Sequence, residues 1–235
     1  MNLSMCRKEL ITMKRTVKEL CVRILILFVG LTVAHLGVTL FLLADLGADP
    51  FNVLIQGIFR ATGQIPGWPI HTHGNTHIAI CFLIIVVLLL VDRSYIKAGT
   101  ILCMIFGGPI IDVFTAILEG PFQSVDSLAV KILVNGLGCI ILAFGMTIVI
   151  KSDAGTGPND LVAIVTADKL KKNFGMVRII TDVTFVLIGF LLGGSIGIGT
   201  LICAFLVGPV ANIFLPIHEK WISRLLIRFQ PKTTA

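Results

Sequence analysis

Charge is scarce in this sequence. Of its 235 residues only 14% are Asp, Glu, Lys or Arg, against 56% hydrophobic ones, and mean hydropathy is +0.98. An ordinary soluble domain carries roughly 25% charged residues, so that class is excluded. Paired cysteines are also missing. Cys6, Cys21, Cys81, Cys103, Cys139 and Cys203 lie in or beside apolar runs and none forms a CxxC. They read as small apolar fillers, not as a disulfide or zinc framework. There is no HExxH, GxSxG or P-loop. GGSIGIGT, residues 193–200, has the glycine spacing of a dinucleotide loop but joins two apolar runs and follows no strand. Neither an enzyme nor a cofactor is expected. No A-x-A-like site follows the first apolar run, so a cleavable signal peptide is not expected either.

What the chain does have is long apolar runs. About 20 such residues cross ~30 Å of hydrocarbon, and six segments fit: 24–43, 76–92, 99–118, 132–150, 179–196 and 198–217. The net charge of +6 then marks membrane sidedness and not nucleic-acid binding. Residues 1–23 are basic throughout, with Leu10, Met13, Val17 and Leu20 at helical spacing. They read as an amphipathic cytoplasmic segment. The tail, 218–235, has the same character in HEKWISRLLIRF.

The chain repeats itself. At an offset of 108 residues Gly30 meets Gly138, Gly37 meets Gly145, Thr39 meets Thr147, Asp45 meets Asp153, Gly47 meets Gly155 and Pro50 meets Pro158. Further on the offset becomes 100. There Gly99, Thr100, Cys103, Gly108, Pro109 and Phe114 recur as Gly199, Thr200, Cys203, Gly208, Pro209 and Phe214. The difference falls in the loop QIPGWPIHTHGN of the first half. The expected architecture is all-α and integral to the membrane, with repeat 1 at 24–119, a linker at 120–131 and repeat 2 at 132–217. Each half holds three spans and one short re-entrant helix, near 51–62 and 159–171. Three crossings per half would set the halves in opposite orientations. With the N-terminus inside, only Arg60 and Lys131 among the Lys and Arg residues stay outside. Full crossing by the short helices would leave the charge bias nearly as good, so it is helix length that favours six spans.

The short helices begin at LGADPFN and GTGPND. Pro50 and Pro158 suit the first helical turn, with Asp49 and Gly157 at the N-cap. Non-helical backbone at membrane depth is tolerated only against protein or a water-lined cavity. Paired broken helices in transporters aim their free N–H groups at a substrate. The candidate substrate-binding set is therefore Gly47, Asp49, Pro50, Asn52, Gly155, Gly157, Pro158, Asn159 and Asp160. Polar residues inside spans are the candidates for coupling or gating: His35, Asp112, Asp182 and Asn212. Asp182 stands four residues after Arg178, at ion-pair spacing, and Asp112 and Asn212 correspond in the repeat and would face each other. His71, His73 and His77 lie in an expected external loop with no Cys or carboxylate nearby in sequence, which reads as solvated and not as a metal site.

LGADPFNVL, SDAGTGPNDLVA and RIITDVTFVLIGFLLGG-x-IGIGT, followed by a Gly-Pro helix, resemble the bacterial YczE membrane-protein family, often grouped with YitT-like proteins. The resemblance covers about residues 24–217, and the loop at 64–75 departs from it. It implies a multi-span fold in the bacterial inner membrane and no particular substrate. The function expected from the residues is a small secondary transporter or exporter of an anionic or zwitterionic solute, with membrane lipids as surroundings, a homodimer as a plausible assembly and no nucleic acid. The alternative is a non-catalytic scaffold or regulatory subunit acting through its basic cytoplasmic segments.

Overall fold

The computed structural model describes residues 17–47, 49–63, 73–122 and 127–229, with backbone alone at 73–75. Among the described residues there is no strand. The helices are α1 (Val17–Leu43), α2 (Pro50–Thr62), α3 (His73–Val91), α4 (Ala98–Phe122), α5 (Leu128–Ser152), α6 (Pro158–Leu170), α7 (Phe174–Leu191) and α8 (Ile198–Ile227), with a 3-10 turn at Arg93–Tyr95 before α4.

Five of these are long and apolar enough to cross a membrane: α1, α4, α5, α7 and α8. The chain is a multi-pass membrane protein. The sixth expected span corresponds to α3, whose described apolar stretch, Thr76–Val91, is shorter. Sixteen residues rise about 24 Å, less than the ~30 Å of hydrocarbon. The other spans differ from expectation mainly at their ends. α1 is already helical at Val17, the first residue described, ahead of the expected span, and there Glu19 and Arg23 pair along the helix at 2.8 Å and are buried together. α7 ends at Leu191, where Gly193 turns the chain at φ +95. α8 runs through Pro216 into the basic tail without a break.

The most extensive contact joins α1 to α5. These helices cross on four glycines. A methyl added to Gly30 would lie 2.9 Å from the Gly145 carbonyl oxygen, and one on Gly138 would lie 2.8 Å from that of Gly37. Pairing 30 with 145 and 37 with 138 means the two helices run antiparallel. Small residues let the backbones approach, which is how helices pack where lipid removes the hydrophobic driving force. Beside this seam, Phe41 of α1 and Cys139, Ala143 and Met146 of α5 form a buried cluster with Cys203, Val207 and Ala211 of α8. α4 runs parallel to α1, with Leu27 against Gly99 and His35 against Gly107. The described cysteines are free thiols, four of them buried, as expected of apolar fillers. Cys6 lies outside the described residues.

The two breaks are built alike. Asp45 and Asp153 take left-handed φ values of 50 and 56. Gly47 and Gly155 follow at φ 120 and 141, which a side chain rarely adopts. The Leu46 carbonyl accepts from Gly199 N–H at 2.8 Å, and the Ala154 carbonyl accepts from Gly99 N–H at 2.9 Å. These bonds link corresponding residues of the repeat, so each long helix ends against the start of the last helix of the other half. The end of α5 is pinned further by Arg23, which donates to the Ser152 carbonyl at 3.0 Å and to the Asp153 carboxylate at 3.3 Å. Lys97 donates to the same carboxylate.

Candidate functional site

Gly155 lies against Gly99 and Thr100, level with Leu27 of α1. That is about 5 Å, or one helical turn, inside the apolar span that begins at residue 24. From there α6 returns to α3 and the following turn, where Lys169 donates to Asp92 at 3.0 Å and Tyr95 donates to Asp168 at 3.1 Å. α7 then retraces the path, and its Arg178 meets Asp160 at the start of α6. α2 lies along the far half of α7: the Phe51 and Phe185 rings meet at a tilt with centroids 5.5 Å apart, and Arg60 donates to the Gly193 carbonyl at 2.5 Å. The two short helices therefore lie end to end along α7, with their N-termini turned toward its middle. Asp182 is at that middle, within electrostatic reach of Asp160 and Asp49.

The two starts are capped differently. Asp49 is the N-cap of α2, and its carboxylate accepts from the N–H groups of Phe51 at 3.1 Å and Asn52 at 3.2 Å and from the Asn52 amide at 2.5 Å. α6 has Gly157 at the N-cap and no side-chain cap. Its third residue, Asp160, accepts from Asn159 at 3.2 Å and from Arg178 Nη1 at 2.5 Å. Arg178 also donates through Nε to Asp182 at 2.9 Å and reaches the Met146 sulfur at 3.9 Å. It is only 7% exposed, and Asp182 1%. One guanidinium thus ties α5, α6 and α7 together between two carboxylates. Asp49→Ala is expected to fray α2 at its start, at about 1 kcal/mol, and hydrogen exchange at the Phe51 and Asn52 amides would report it.

Among the described residues, the buried side-chain polar atoms without a partner fall around these breaks. They are Thr156 Oγ1 inside the second break, Thr100 Oγ1 in the turn packed on Gly155, both polar atoms of Asn135, and Asp182 Oδ1. Asn135 is 0% exposed and lies against Gly199, beside Leu46 of the first break. Leaving such groups bare costs on the order of 1–3 kcal/mol each, and native proteins concentrate them where a proton, ion, water or ligand completes the set. Two cavities lie away from the breaks: about 500 Å³ between α3 and α6, and about 340 Å³ on α8 around Trp221.

Gly47, Asp49, Pro50, Asn52, Gly155, Gly157, Pro158, Asn159 and Asp160 all lie at the two starts, and Asp182 lies between them. His35 bonds through Nδ1 to the Leu31 carbonyl at 2.7 Å, packs its ring on Gly107 and feels the Asp160 charge. Asp112 and Asn212 are not brought together. Asn212 donates to Asn173 at 2.5 Å and accepts from Gly175 N–H at 3.3 Å, sealing α7 to α8. Asp112 is exposed on α4, because α4 packs on α1 and not on α8. His71 lies outside the described residues, as does the side chain of His73. His77 is not a solvated loop residue, since its ring meets Phe51 edge-on at 5.4 Å. Sequence reasoning missed Arg178 as the centre of the site, and Asn135, Thr100 and Thr156 altogether. A signal existed for two of them. At the corresponding positions Arg178 replaces Ile78, and Asn135 replaces Leu27.

A family profile described as a family of unknown function, DUF6198, matches residues 21–216. The chain is 28% identical over 200 residues to an uncharacterized membrane protein, YczE, of Bacillus subtilis, covering 85% of this chain and 88% of that one. It is 29% identical over 195 residues to an uncharacterized protein of Haemophilus influenzae, covering 82% and 83%. It is 25% identical over 193 residues to the uncharacterized protein YyaS of B. subtilis, covering 82% and 92%. No solved structure gives a significant match.

Proposed function

The chain belongs to the YczE-like membrane proteins of the family DUF6198, and for it we propose a small secondary transporter that moves an anionic or zwitterionic solute together with a proton. The observation that carries this reading is the approach of two proline-started half-helices to Asp182 from opposite ends of α7. Transporters built from inverted repeats hold their substrate at such a meeting of broken helices. The antiparallel course of α1 and α5, which correspond in the repeat, supports reading the halves as inverted. The bias of Lys and Arg toward the N-terminal side supports a bacterial cytoplasmic membrane location with both termini in the cytoplasm.

The charges suggest how coupling works. Arg178 is neutralised by Asp160 and Asp182, so a solute carboxylate finds no free cation. A proton on Asp160 removes one partner and frees a guanidinium fork for the solute, beside the uncapped N–H groups at the start of α6. An amino group on a zwitterion then has Asp182 Oδ1 available. The side bearing Arg23 and Lys97 is latched by their bonds to Asp153. The corresponding pair on the other side is Lys131 and Asp45. Among the described residues no hydrogen bond or ion pair joins those two, and Asp45 is exposed. Unequal latching of two equivalent gates is what rocking between two access states requires. Catalysis, a cofactor and a metal have no part in this reading.

The test is uptake into proteoliposomes under an imposed pH gradient, with labelled amino acids and small carboxylates as probes. One of these classes should accumulate with the gradient, and Asp160→Asn should bind solute yet lose dependence on the gradient. The reading fails if neither class moves and Asp160→Asn and Asn52→Ala leave the cellular phenotype intact. A stoichiometric protein partner co-purifying with an inactive transporter would favour the scaffold instead.

A further inference from the structure

The contact of α2 with α7 and that of α3 with α6 correspond in the repeat, yet they are packed differently. At the first, Gly57 and Gly189 bring the backbones together: a methyl on Gly57 would lie 2.9 Å from the Gly189 Cα. At the second, the same positions hold Val165 and Leu89. Val165 is buried with Leu88 and Leu161 and keeps the helices apart. The result is the cavity of about 500 Å³, walled by Leu83, Val87 and Val91 of α3 and by Val162, Thr166 and Lys169 of α6.

Its size and setting select an occupant. The wall from Val162 to Leu170 rises about 12 Å, close to one leaflet of a hydrocarbon core about 30 Å thick. A volume of about 500 Å³ over that length gives a cross-section of about 40 Å², half the roughly 80 Å² of a helix about 10 Å wide. The groove is wide enough for a hydrocarbon chain along its length. The wall is apolar except for Thr166 and Lys169. Where α6 ends, Lys169, Lys171, Lys172 and Arg93 are all exposed. Two carboxylates stand among them, and both are already engaged: Asp168 accepts from Tyr95, and Asp92 from Ser94 and Lys169. The Ser94 hydroxyl, with Lys169, holds the Asp92 carboxyl down at about 2. An ammonium has three N–H donors, so its bond to Asp92 leaves Lys169 two to offer.

We propose that the α3–α6 groove is a binding site for an anionic phospholipid, with one acyl chain between the helices and the phosphate on Lys169, Lys171 and Lys172. The site is independent of the transport reading. It lies in the leaflet on the side where the basic residues gather, where anionic headgroups reward each nearby lysine.

Native mass spectrometry of the full chain in detergent tests it, with phosphatidylglycerol and phosphatidylcholine of identical chains as probes. Phosphatidylglycerol should be retained in preference, and the paired change Lys171→Gln with Lys172→Gln should weaken its retention about tenfold or more. Both residues are exposed, so that variant keeps the fold, which a melting curve verifies. Val87→Trp should fill the groove and abolish retention of phosphatidylglycerol without touching a charge. Equal retention of the two lipids, or unchanged retention by the lysine variant, overturns the proposal.

Discussion

Arg178→Met is expected to remove both transport and much of the stability of the second half. The substitution keeps a similar length of side chain but leaves Asp182, 1% exposed, and Asp160 facing each other without a cation. Removing one partner from a buried ion pair typically costs about 3–5 kcal/mol, because the remaining charge stays desolvated. Adding Asp160→Asn and Asp182→Asn to Arg178→Met removes that charge. The triple variant should regain most of the lost stability, read as the melting temperature in detergent, and stay inactive in the gradient-driven uptake assay. If the single variant melts like the parent, the guanidinium does not hold α5, α6 and α7 together.

The second large effect is expected at the α1–α5 crossing. In Gly145→Leu the first added carbon would lie 2.7 Å from the Gly30 carbonyl oxygen and 2.6 Å from the Ala34 Cα. These are backbone atoms of a helix that also packs on α4, so they cannot turn aside as a flexible side chain would. Overpacking costs about 1–3 kcal/mol where neighbours can shift, and more where they cannot. The folded, monodisperse fraction recovered in mild detergent should fall sharply. Gly136→Leu is the control, since a side chain there meets nothing within 4 Å. Leu favours both helix and insertion over Gly, so similar losses from both variants would mean that the crossing is not the cause.

The breaks were legible because their chemistry is local. A proline opens each short helix, a left-handed Asp and a positive-φ glycine precede it, and those needs recur in both halves at a fixed offset. The Arg178–Asp182 pair was legible for the same reason, being one helical turn apart. Asp160 as the other partner of Arg178 was not, since eighteen residues and a reversal of the chain separate them. Asp112 and Asn212 misled because correspondence in a repeat does not imply contact. α8 packs on α7 through Gly208 and Gly175, whereas Gly108 of α4 faces open space. Asn135 escaped notice because one polar residue in an apolar run carries no pattern. Its meaning comes from the Gly199 and Leu46 backbone that surrounds it.

By itself the sequence determined that this chain lives in a membrane, that its Gly and Pro positions recur at fixed offsets, and where its helices are interrupted. Hydropathy, repetition and the conformational demands of glycine and proline act over a few residues and need no fold to be read. Only the tertiary structure decided that the two interruptions face the middle of α7, that Arg178 joins Asp160 at the start of α6 to Asp182, and that one of two equivalent helix contacts stays open as a groove. Those outcomes depend on which side chains from distant parts of the chain compete for the same volume. Where they are glycines the helices close, and where Val165 is buried between them they stand apart.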